Sequence, residues 1–217
     1  MRELAGAVVV VVGATGDLGA SICDVLLERG AVVLGASRRG PDIVMDLRDS
    51  RAGDAIVRAA LGTQGRLDGV VNAAGVVAFG DLVETDDVVI EELFLTNAMG
   101  PLWLARRLMP ALGQSRGFFT NVTGVAAEEA RPGLVAYSAS KAALSHALAG
   151  LRREADRLGV HVADVRPPLT DTGLPLRPIG GSPTARSGLD PDIVAERIVA
   201  AIEADVAELA ASDFAVV

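Results

Sequence analysis

Residues 8–19 of the chain read VVVVVGATGDLG, and this stretch decides the fold. Five consecutive valines lack the polar alternation of a half-exposed strand, so they predict a strand buried on both faces, as in a parallel sheet. Three closely spaced glycines follow, and residues 18–29 then place apolar side chains at helical spacing. Residues 31–34 read as a second strand, so the chain opens with a βαβ unit.

The glycine turn is suited to a phosphate group. Glycines allow a tight turn and close backbone approach, and the helix that follows points its free N–H groups and positive dipole end at a pyrophosphate. Its position after a strand and before a helix favours nucleotide binding over a purely structural turn, although both interpretations remain open. The predicted cofactor-binding residues of the turn are Gly13, Thr15, Gly16, Asp17, Leu18 and Gly19.

The alternation of strands and helices continues to residue 165, which predicts an α/β fold with helices on both faces of a doubly wound parallel sheet. Further strands are predicted over 43–45, 69–72, 118–122 and 160–165, and helices over 52–61, 88–112 and 135–158. A final helix is predicted from the N-cap Asp190 to about Glu203. Five of the ten prolines lie within 167–183, so residues 167–189 are predicted to form a substrate loop or lid.

The composition limits the function classes. A chain of 217 residues without a linker or repeat predicts a single domain over 1–217. The net charge of −8 is unfavourable for general nucleic-acid binding, and we expect no membrane helix and a cytoplasmic location. One cysteine, Cys23, and two distant histidines, His146 and His161, predict neither a disulfide nor a metal site.

The end of the second strand bears on cofactor choice. Residues 37–39 read Ser37-Arg38-Arg39, where sites that bind NAD usually place a carboxylate against the ribose 2′-hydroxyl. An arginine suits a 2′-phosphate instead, which favours NADPH with Arg38 as the first candidate. The alternative is that both arginines are simply solvated.

The pair Tyr137 and Lys141 carries the strongest chemical signal. They are the only tyrosine and the only lysine of the chain, and they stand four residues apart on a predicted helix face. A cation at that spacing is expected to stabilise the phenolate and to lower the pKa of the phenol from about 10. The pair therefore predicts a proton donor that works near neutral pH.

With these motifs in order, the sequence resembles the short-chain dehydrogenases/reductases over roughly residues 7–172, which implies a Rossmann fold, an NADP(H) cofactor and a carbonyl or alcohol substrate. The resemblance makes Tyr137 and Lys141 the catalytic pair and Asn97 the residue that holds a relay water. The cofactor contacts that it implies are Asp46, Leu47, Asn72, Ala73, Ala74, Gly75, Pro167 and Thr172, besides Ser37, Arg38, Arg39, Tyr137 and Lys141.

The chain departs from the family pattern at several positions. The catalytic serine of the family lies thirteen residues before the tyrosine, and Gly124 stands there. The neighbouring Thr123 takes that role only if a local bulge turns its hydroxyl into the site. Asp17 replaces a glycine of the cofactor turn, and the helix usual between the second and third strands is absent.

Three functions follow from these residues. The leading hypothesis is an NADPH-dependent reductase of a small carbonyl compound, or the reverse alcohol oxidation. The loss of the serine raises a second, a cofactor-binding sensor or interaction partner with little turnover, and the fold allows a third, a dehydratase or epimerase. The resemblance also implies a homodimer or homotetramer formed through the helices predicted over 88–112 and 135–158.

Overall fold

The computed structural model describes residues 1–185 and 187–214, so Arg186 of the predicted loop and the end of the predicted domain, 215–217, lie outside it. Within the described residues, seven strands form one sheet in the order β3-β2-β1-β4-β5-β6-β7, and every neighbouring pair is parallel. The strands are β1 Val8–Val12, β2 Val32–Ser37, β3 Ile43–Val44, β4 Gly69–Asn72, β5 Phe118–Val122, β6 His161–Val165 and β7 Glu208–Leu209.

The five valines of β1 explain why the sheet is covered on both sides. Val9 and Val11 belong to one apolar cluster, whereas Val8, Val10 and Val12 belong to the other. Because successive side chains point to opposite faces of a strand, an unbroken apolar run is what two covered faces require. The predicted doubly wound α/β sheet is confirmed.

Helices cover the two faces unequally. Ile22 of α1 and Ile198 of α6 pack in one cluster, and Ile56 of α2, Leu108 of α4 and Leu148 of α5 pack in the other. The helices are α1 Asp17–Glu28, α2 Ala52–Gln64, α3 Asp87–Phe94, α4 Gly100–Ser115, α5 Val135–Ala155 and α6 Pro191–Glu203. The side chain of Asp190 accepts a hydrogen bond from the N–H of Asp192, as the predicted N-cap requires.

The helix predicted over 88–112 is interrupted. A π-helical turn, Leu95–Met99, joins α3 to α4, and Pro101 stands at the start of α4, where its missing N–H costs little. By length and composition alone, Asp87–Ser115 is apolar enough to cross a membrane. Its apolar side chains Leu93, Leu104, Leu108 and Leu112 are buried within the fold, which accounts for that composition.

Two features of the sheet edges bear on the sequence predictions. Residues 38–42 connect β2 directly to β3, so the expected absence of a helix there is confirmed. At the other edge, β7 pairs with the end of β6, with Asp164 opposite Glu208 and Val165 opposite Leu209. This short strand was not predicted, since two residues are too few to show a periodicity.

The segment after β6 crosses the carboxyl edge of the sheet. The N–H of Ile179 donates to the carbonyl of Val77 at 2.9 Å, and the N–H of Phe79 donates to the carbonyl of Gly180 at 3.0 Å. The N–H of Gly80 donates to the carbonyl of Gly133, just before α5. The predicted substrate loop is thus hydrogen-bonded to the segment that follows β4.

Candidate active site

The glycine turn after β1 is packed too closely for side chains. A Cβ at Gly19 would lie 2.1 Å from the carbonyl oxygen of Gly13, and a Cβ at Gly13 would lie 2.8 Å from the backbone nitrogen of Ala74. Gly16 is the N-cap of α1 and provides no side-chain acceptor, so the first N–H groups of the helix remain available to an anion. The turn therefore fits a pyrophosphate.

Asp17 forms a link between this turn and the substrate loop. Its Oδ2 accepts a hydrogen bond of 2.6 Å from the N–H of Gly173. Thr172, beside it, accepts a bond from the N–H of Leu174 through its hydroxyl at 3.4 Å. The residue that replaces a glycine of the family turn thus holds the beginning of the loop.

The second cofactor element lies at the end of β2. Arg38 and Arg39 are both exposed, and the Ser37 hydroxyl accepts a hydrogen bond from the N–H of Arg39 at 3.1 Å. Asp46 forms an ion pair of 2.6 Å with Arg48. That arginine, and more weakly Arg38, holds the pKa of the Asp46 carboxyl below its usual range.

The next residue, Leu47, is buried, and its backbone oxygen would lie 2.5 Å from a Cβ at Gly100. Leu47 therefore belongs to the packing between β3 and α4. Pro167, after β6, accepts a hydrogen bond from the N–H of Val125 through its carbonyl at 2.9 Å. Both predicted contacts lie at the same edge of the sheet as the glycine turn.

The segment after β4 joins the glycine turn to α5. Asn72 donates through Nδ2 to Oδ1 of Asn121 at 3.0 Å, which connects β4 to β5. Ala73 donates its N–H to the carbonyl of Val12. A Cβ at Gly75 would lie 3.1 Å from Asn97 Oδ1 and 3.2 Å from Lys141 Nζ. Gly75 is therefore the point at which three predicted site elements meet.

Asn97 lies on the π-helical turn and is buried. Its Oδ1 accepts from the N–H of Val76 at 3.0 Å, and its Nδ2 donates to the carbonyl of Val76 at 2.9 Å and to the Ser140 hydroxyl at 3.0 Å. Ser140 in turn donates to the carbonyl of Tyr137 at 2.7 Å. The side chain of Asn97 thus fixes α5 against the segment after β4.

Tyr137 and Lys141 lie one turn apart near the start of α5. Lys141 Nζ donates to the carbonyl of Val122 at 3.1 Å, and the side chain is buried. Burial lowers the pKa of Lys141 to about 8, and the carboxylate of Asp164 opposes that shift.

The expected lowering of the Tyr137 pKa is wrong for this structure. The ring is partly buried, and this burial raises the pKa of the Tyr137 phenol to about 12, because desolvation disfavours the phenolate. Lys141 does not reverse this, since its ammonium is directed at the carbonyl of Val122. The phenol is therefore a neutral proton donor across the physiological pH range.

The end of β5 is the site's largest departure from expectation. The N–H groups of Thr123 and Gly124 both approach the carbonyl of Val165, at 2.9 and 3.3 Å, so the strand bulges there. The Thr123 hydroxyl nevertheless donates to Oδ1 of Asp164 at 2.5 Å and is buried. Since that hydroxyl is committed to Asp164, the condition for Thr123 to replace the missing serine is not met.

Gly124 itself adopts φ +84°, a left-handed conformation that favours glycine. A Cβ there would meet only the carbonyl of Pro167, at 3.9 Å, so there is room but the backbone is unsuited to a side chain. Sequence reasoning missed Ser140 and Asp164. An acid between the apolar residues Ala163 and Val165 of β6 is the signal that marks Asp164.

Comparison with known proteins agrees with this geometry. The sequence profile of short chain dehydrogenases matches residues 7–176. An uncharacterized oxidoreductase of Staphylococcus saprophyticus is 29% identical over 226 residues, covering 94% of each chain. One from Staphylococcus aureus USA300 is 28% identical over 218 residues, covering 93% of each.

Solved structures give the same result. A short-chain dehydrogenase from Streptomyces avermitilis superposes with a TM-score of 0.84 at 27% identity, over 97% of this chain and 91% of that one. A short chain dehydrogenase from Burkholderia cenocepacia, in complex with NADP, gives 0.83 at 27% identity, over 96% and 89%. Fold and site thus define an oxidoreductase. The chain belongs to the short chain dehydrogenase family, which confirms the resemblance.

Proposed function

We propose that this protein is an NADPH-dependent oxidoreductase that interconverts a small carbonyl compound and its alcohol. The observation that carries the proposal is the meeting of Asn97 Oδ1 and Lys141 Nζ at Gly75. Tyr137 stands one helical turn before Lys141, and the glycine turn lies beside the same segment. This arrangement is at the carboxyl ends of parallel strands, where α/β sheets bind their ligands.

Different residues of the chain would bind the cofactor, donate the proton and exclude water. The first N–H groups of α1 and the glycine turn would hold the pyrophosphate, and Arg38 and Arg39 would hold a 2′-phosphate. When bound, the nicotinamide supplies or accepts the hydride. Tyr137 donates a proton to the carbonyl oxygen, and the Lys141 ammonium provides the positive charge beside it. Residues 172–180 of the loop, which is hydrogen-bonded to the segment after β4, would exclude water from the reacting atoms.

Calorimetric titration with NADPH and then NADH tests the cofactor assignment. Among the described residues Arg38 forms no close ion pair, so its guanidinium is available to a phosphate. A charge-assisted contact is worth about 1.5–3 kcal/mol, so we expect NADPH to bind roughly 10- to 150-fold more tightly than NADH. Arg38→Ala should remove most of that preference, and the matched variant Arg39→Ala should remove less.

Failure of both cofactors to bind would refute the proposal. Equal affinities for NADPH and NADH would refute only the assignment of the arginines. The relative from Burkholderia cenocepacia was solved in complex with NADP, which supports NADPH as the first ligand to titrate.

A second function is favoured by the end of β5. Because Gly124 offers no hydroxyl and Thr123 is bonded to Asp164, a group that polarises the substrate carbonyl is missing there. One such donor typically contributes a factor of about 10²–10³. A protein that binds NADPH tightly yet turns over no member of a broad carbonyl panel would be a cofactor-dependent sensor instead.

We also propose that the protein forms dimers through α4 and α5. A groove of about 580 Å³ runs between them, lined by apolar side chains that include Leu102, Met109, Leu151 and Leu158. Leu102 and Leu158 are exposed there, as expected of residues that a second copy covers. Leu102→Glu should convert the dimer to monomers in light scattering, and a monomeric unsubstituted protein would refute this proposal.

A further inference from the structure

Asp164 is a buried acid that the proposed mechanism does not use. It lies on β6 with 2% of its surface exposed, in register with Asn121 of β5, which is itself in register with Asn72 of β4. These three side chains form a polar row on the face of the sheet that α5 covers. An acid in such a place is costly unless hydrogen bonds and an opposite charge compensate it.

Hydroxyl groups from two elements satisfy the carboxylate. Thr123 of the β5 end donates to Oδ1 and Ser145 of α5 donates to Oδ2, both at 2.5 Å. The backbone N–H of Asp164 donates to the carbonyl of Ala207 beside β7. One oxygen is therefore held from the strand side and the other from the helix that carries Lys141.

Other charged groups around Asp164 are paired elsewhere. Arg166, which directly follows β6, lies 3.8 Å from Asp164 Oδ2 but approaches Glu128 and Glu208 at 3.0 Å each. Glu208 of β7 also pairs with Arg152 of α5 at 2.9 Å. Lys141 Nζ contacts the carbonyl of Val122, and among the described residues this buried ammonium forms no close ion pair with a carboxylate.

We propose that Asp164 is a positioning residue that keeps the buried Lys141 ammonium charged where it contacts the carbonyl of Val122. The hydroxyls of Thr123 and Ser145 fix the carboxylate, and Ser145 lies one helical turn after Lys141 on α5. The carboxylate offsets the loss of water around the ammonium. The inference takes its catalytic meaning from the proposed function. Its physical content, the charge state of Lys141, does not depend on that function.

Burial and Asp164 act on Lys141 in opposite directions. Desolvation lowers the pKa of Lys141 to about 8, and the negative charge of Asp164 raises it. Removing that charge should therefore lower the pKa further, by about one pH unit. At pH 8 such a shift would reduce the charged fraction of Lys141 about fivefold.

The experiment uses the fact that the chain holds one lysine. Protein labelled with ¹³C at lysine Cε gives one side-chain signal, so the titration of Lys141 is observed directly without cofactor or substrate. We expect Asp164→Asn and Asp164→Ala to lower its midpoint by about one pH unit. The matched control Ser145→Ala removes one hydrogen bond to the same carboxylate but keeps the charge, and it should leave the midpoint in place.

An unchanged midpoint in a folded Asp164 variant would overturn the proposal. Failure of both Asp164 variants to fold, while Ser145→Ala folds, would also overturn it, because the carboxylate would then be structural. In an active enzyme the alkaline limb of the pH–rate profile should move with the NMR midpoint. A protein without turnover whose midpoint still shifts would refute the proposed function and leave the role of Asp164 intact.

Discussion

The two sides of the candidate site differ in how firmly their polar groups are committed to the proposed chemistry. On the side of α5, Asn97, Ser140 and Lys141 are joined through hydrogen bonds to the segment after β4 and to the carbonyl of Val122. At the end of β5, the backbone bulges and Thr123 turns to Asp164. The proposed proton donor and its neighbouring cation are present, whereas at the end of β5 neither Gly124 nor Thr123 offers a free hydroxyl to polarise a carbonyl.

This difference indicates that the fold constrains the two sides of the candidate site to different degrees. The helix side is stabilised by packing and by buried hydrogen bonds that fold stability itself requires. A serine hydroxyl at position 124 would not be needed to hold the strands together. The sheet therefore remains intact with Gly124 at that position. The predictions below test each side, from the largest expected effect to the smallest.

Replacement of the phenol tests the helix side most directly. Tyr137→Phe should lower kcat on an accepted carbonyl compound by about 10³-fold, because a positioned proton donor contributes roughly 10²–10⁴. NADPH affinity measured by calorimetry should stay the same, since the phenol makes no hydrogen bond within the described part of the chain. Full turnover by this variant would show that the helix side does not do the chemistry.

Burial of Lys141 should lower the free energy of unfolding of the protein. The folded pKa of about 8 is below the ordinary 10.5, so the folded state disfavours the ammonium. The unfolding free energy therefore carries the full cost below pH 8 and recovers as the pH rises toward 10.5. Lys141→Met should be more stable than the unsubstituted protein by about 2 kcal/mol at pH 7, with a difference that shrinks by pH 10.

Denaturant unfolding at both pH values measures that difference. The stabilised variant should also lose turnover, as expected where a functional group is kept at the expense of stability. A difference that stays constant between pH 7 and pH 10 would show that Lys141 has the same pKa in the folded and unfolded states, as a solvated lysine would.

The backbone conformation at the end of β5 can be tested by substituting Gly124. Gly124→Ala should lower the unfolding free energy by about 1–2 kcal/mol, because φ +84° is strained for any residue with a Cβ. Gly150→Ala is the matched control: Gly150 lies inside α5, a Cβ there meets nothing within 4 Å, and the change should stabilise by about 0.5–1 kcal/mol.

Gly124→Ser adds the missing hydroxyl to the same strained position. Its rate relative to Gly124→Ala isolates the contribution of the hydroxyl, since both variants carry the same backbone strain. A higher kcat for the serine variant would identify a handicapped enzyme, and equal rates would show that the bulge keeps the hydroxyl out of reach. Unaltered stability in Gly124→Ala would contradict the left-handed conformation.

The smallest effect concerns Ser140. Ser140→Ala removes the hydroxyl that Asn97 donates to, and it should cost about 1 kcal/mol of unfolding free energy and a few-fold in kcat. Ser138 provides the control on the same helix, since its buried hydroxyl has no hydrogen-bond partner among the described residues. Ser138→Ala should be neutral, and equal losses in the two variants would remove the proposed link between Asn97 and α5.

The sequence predicts most of the fold because periodicity reports burial directly. Val8–Val12 is apolar because both faces are covered, and the spacing within α1 and α6 follows the face that packs on the sheet. The π-helical turn that carries Asn97 is not predictable in this way, since it shares the composition of the helices on either side. The two residues of β7 are too short for any pattern.

The sequence predicts those site residues whose type alone distinguishes them from the rest of the chain. Tyr137 and Lys141 stand out as the only ones of their kind. The pKa of Tyr137 and the partner of Thr123 depend instead on burial and on contacts between β5 and β6, which no local spacing encodes. Asp164 belongs to the same class, because its neighbours Thr123 and Ser145 come from other elements.

The order of the strands has a consequence for synthesis. β1 is made first, yet it lies inside the sheet between β2 and β4. After the partner β2 has emerged, the second edge of the valine run stays unpaired until Gly69–Asn72 follows, a wait of several seconds at about 5–20 residues per second. A run of β-branched residues with an open edge is prone to join another chain. We therefore expect aggregation during translation to increase when residues 38–72 are synthesised more slowly.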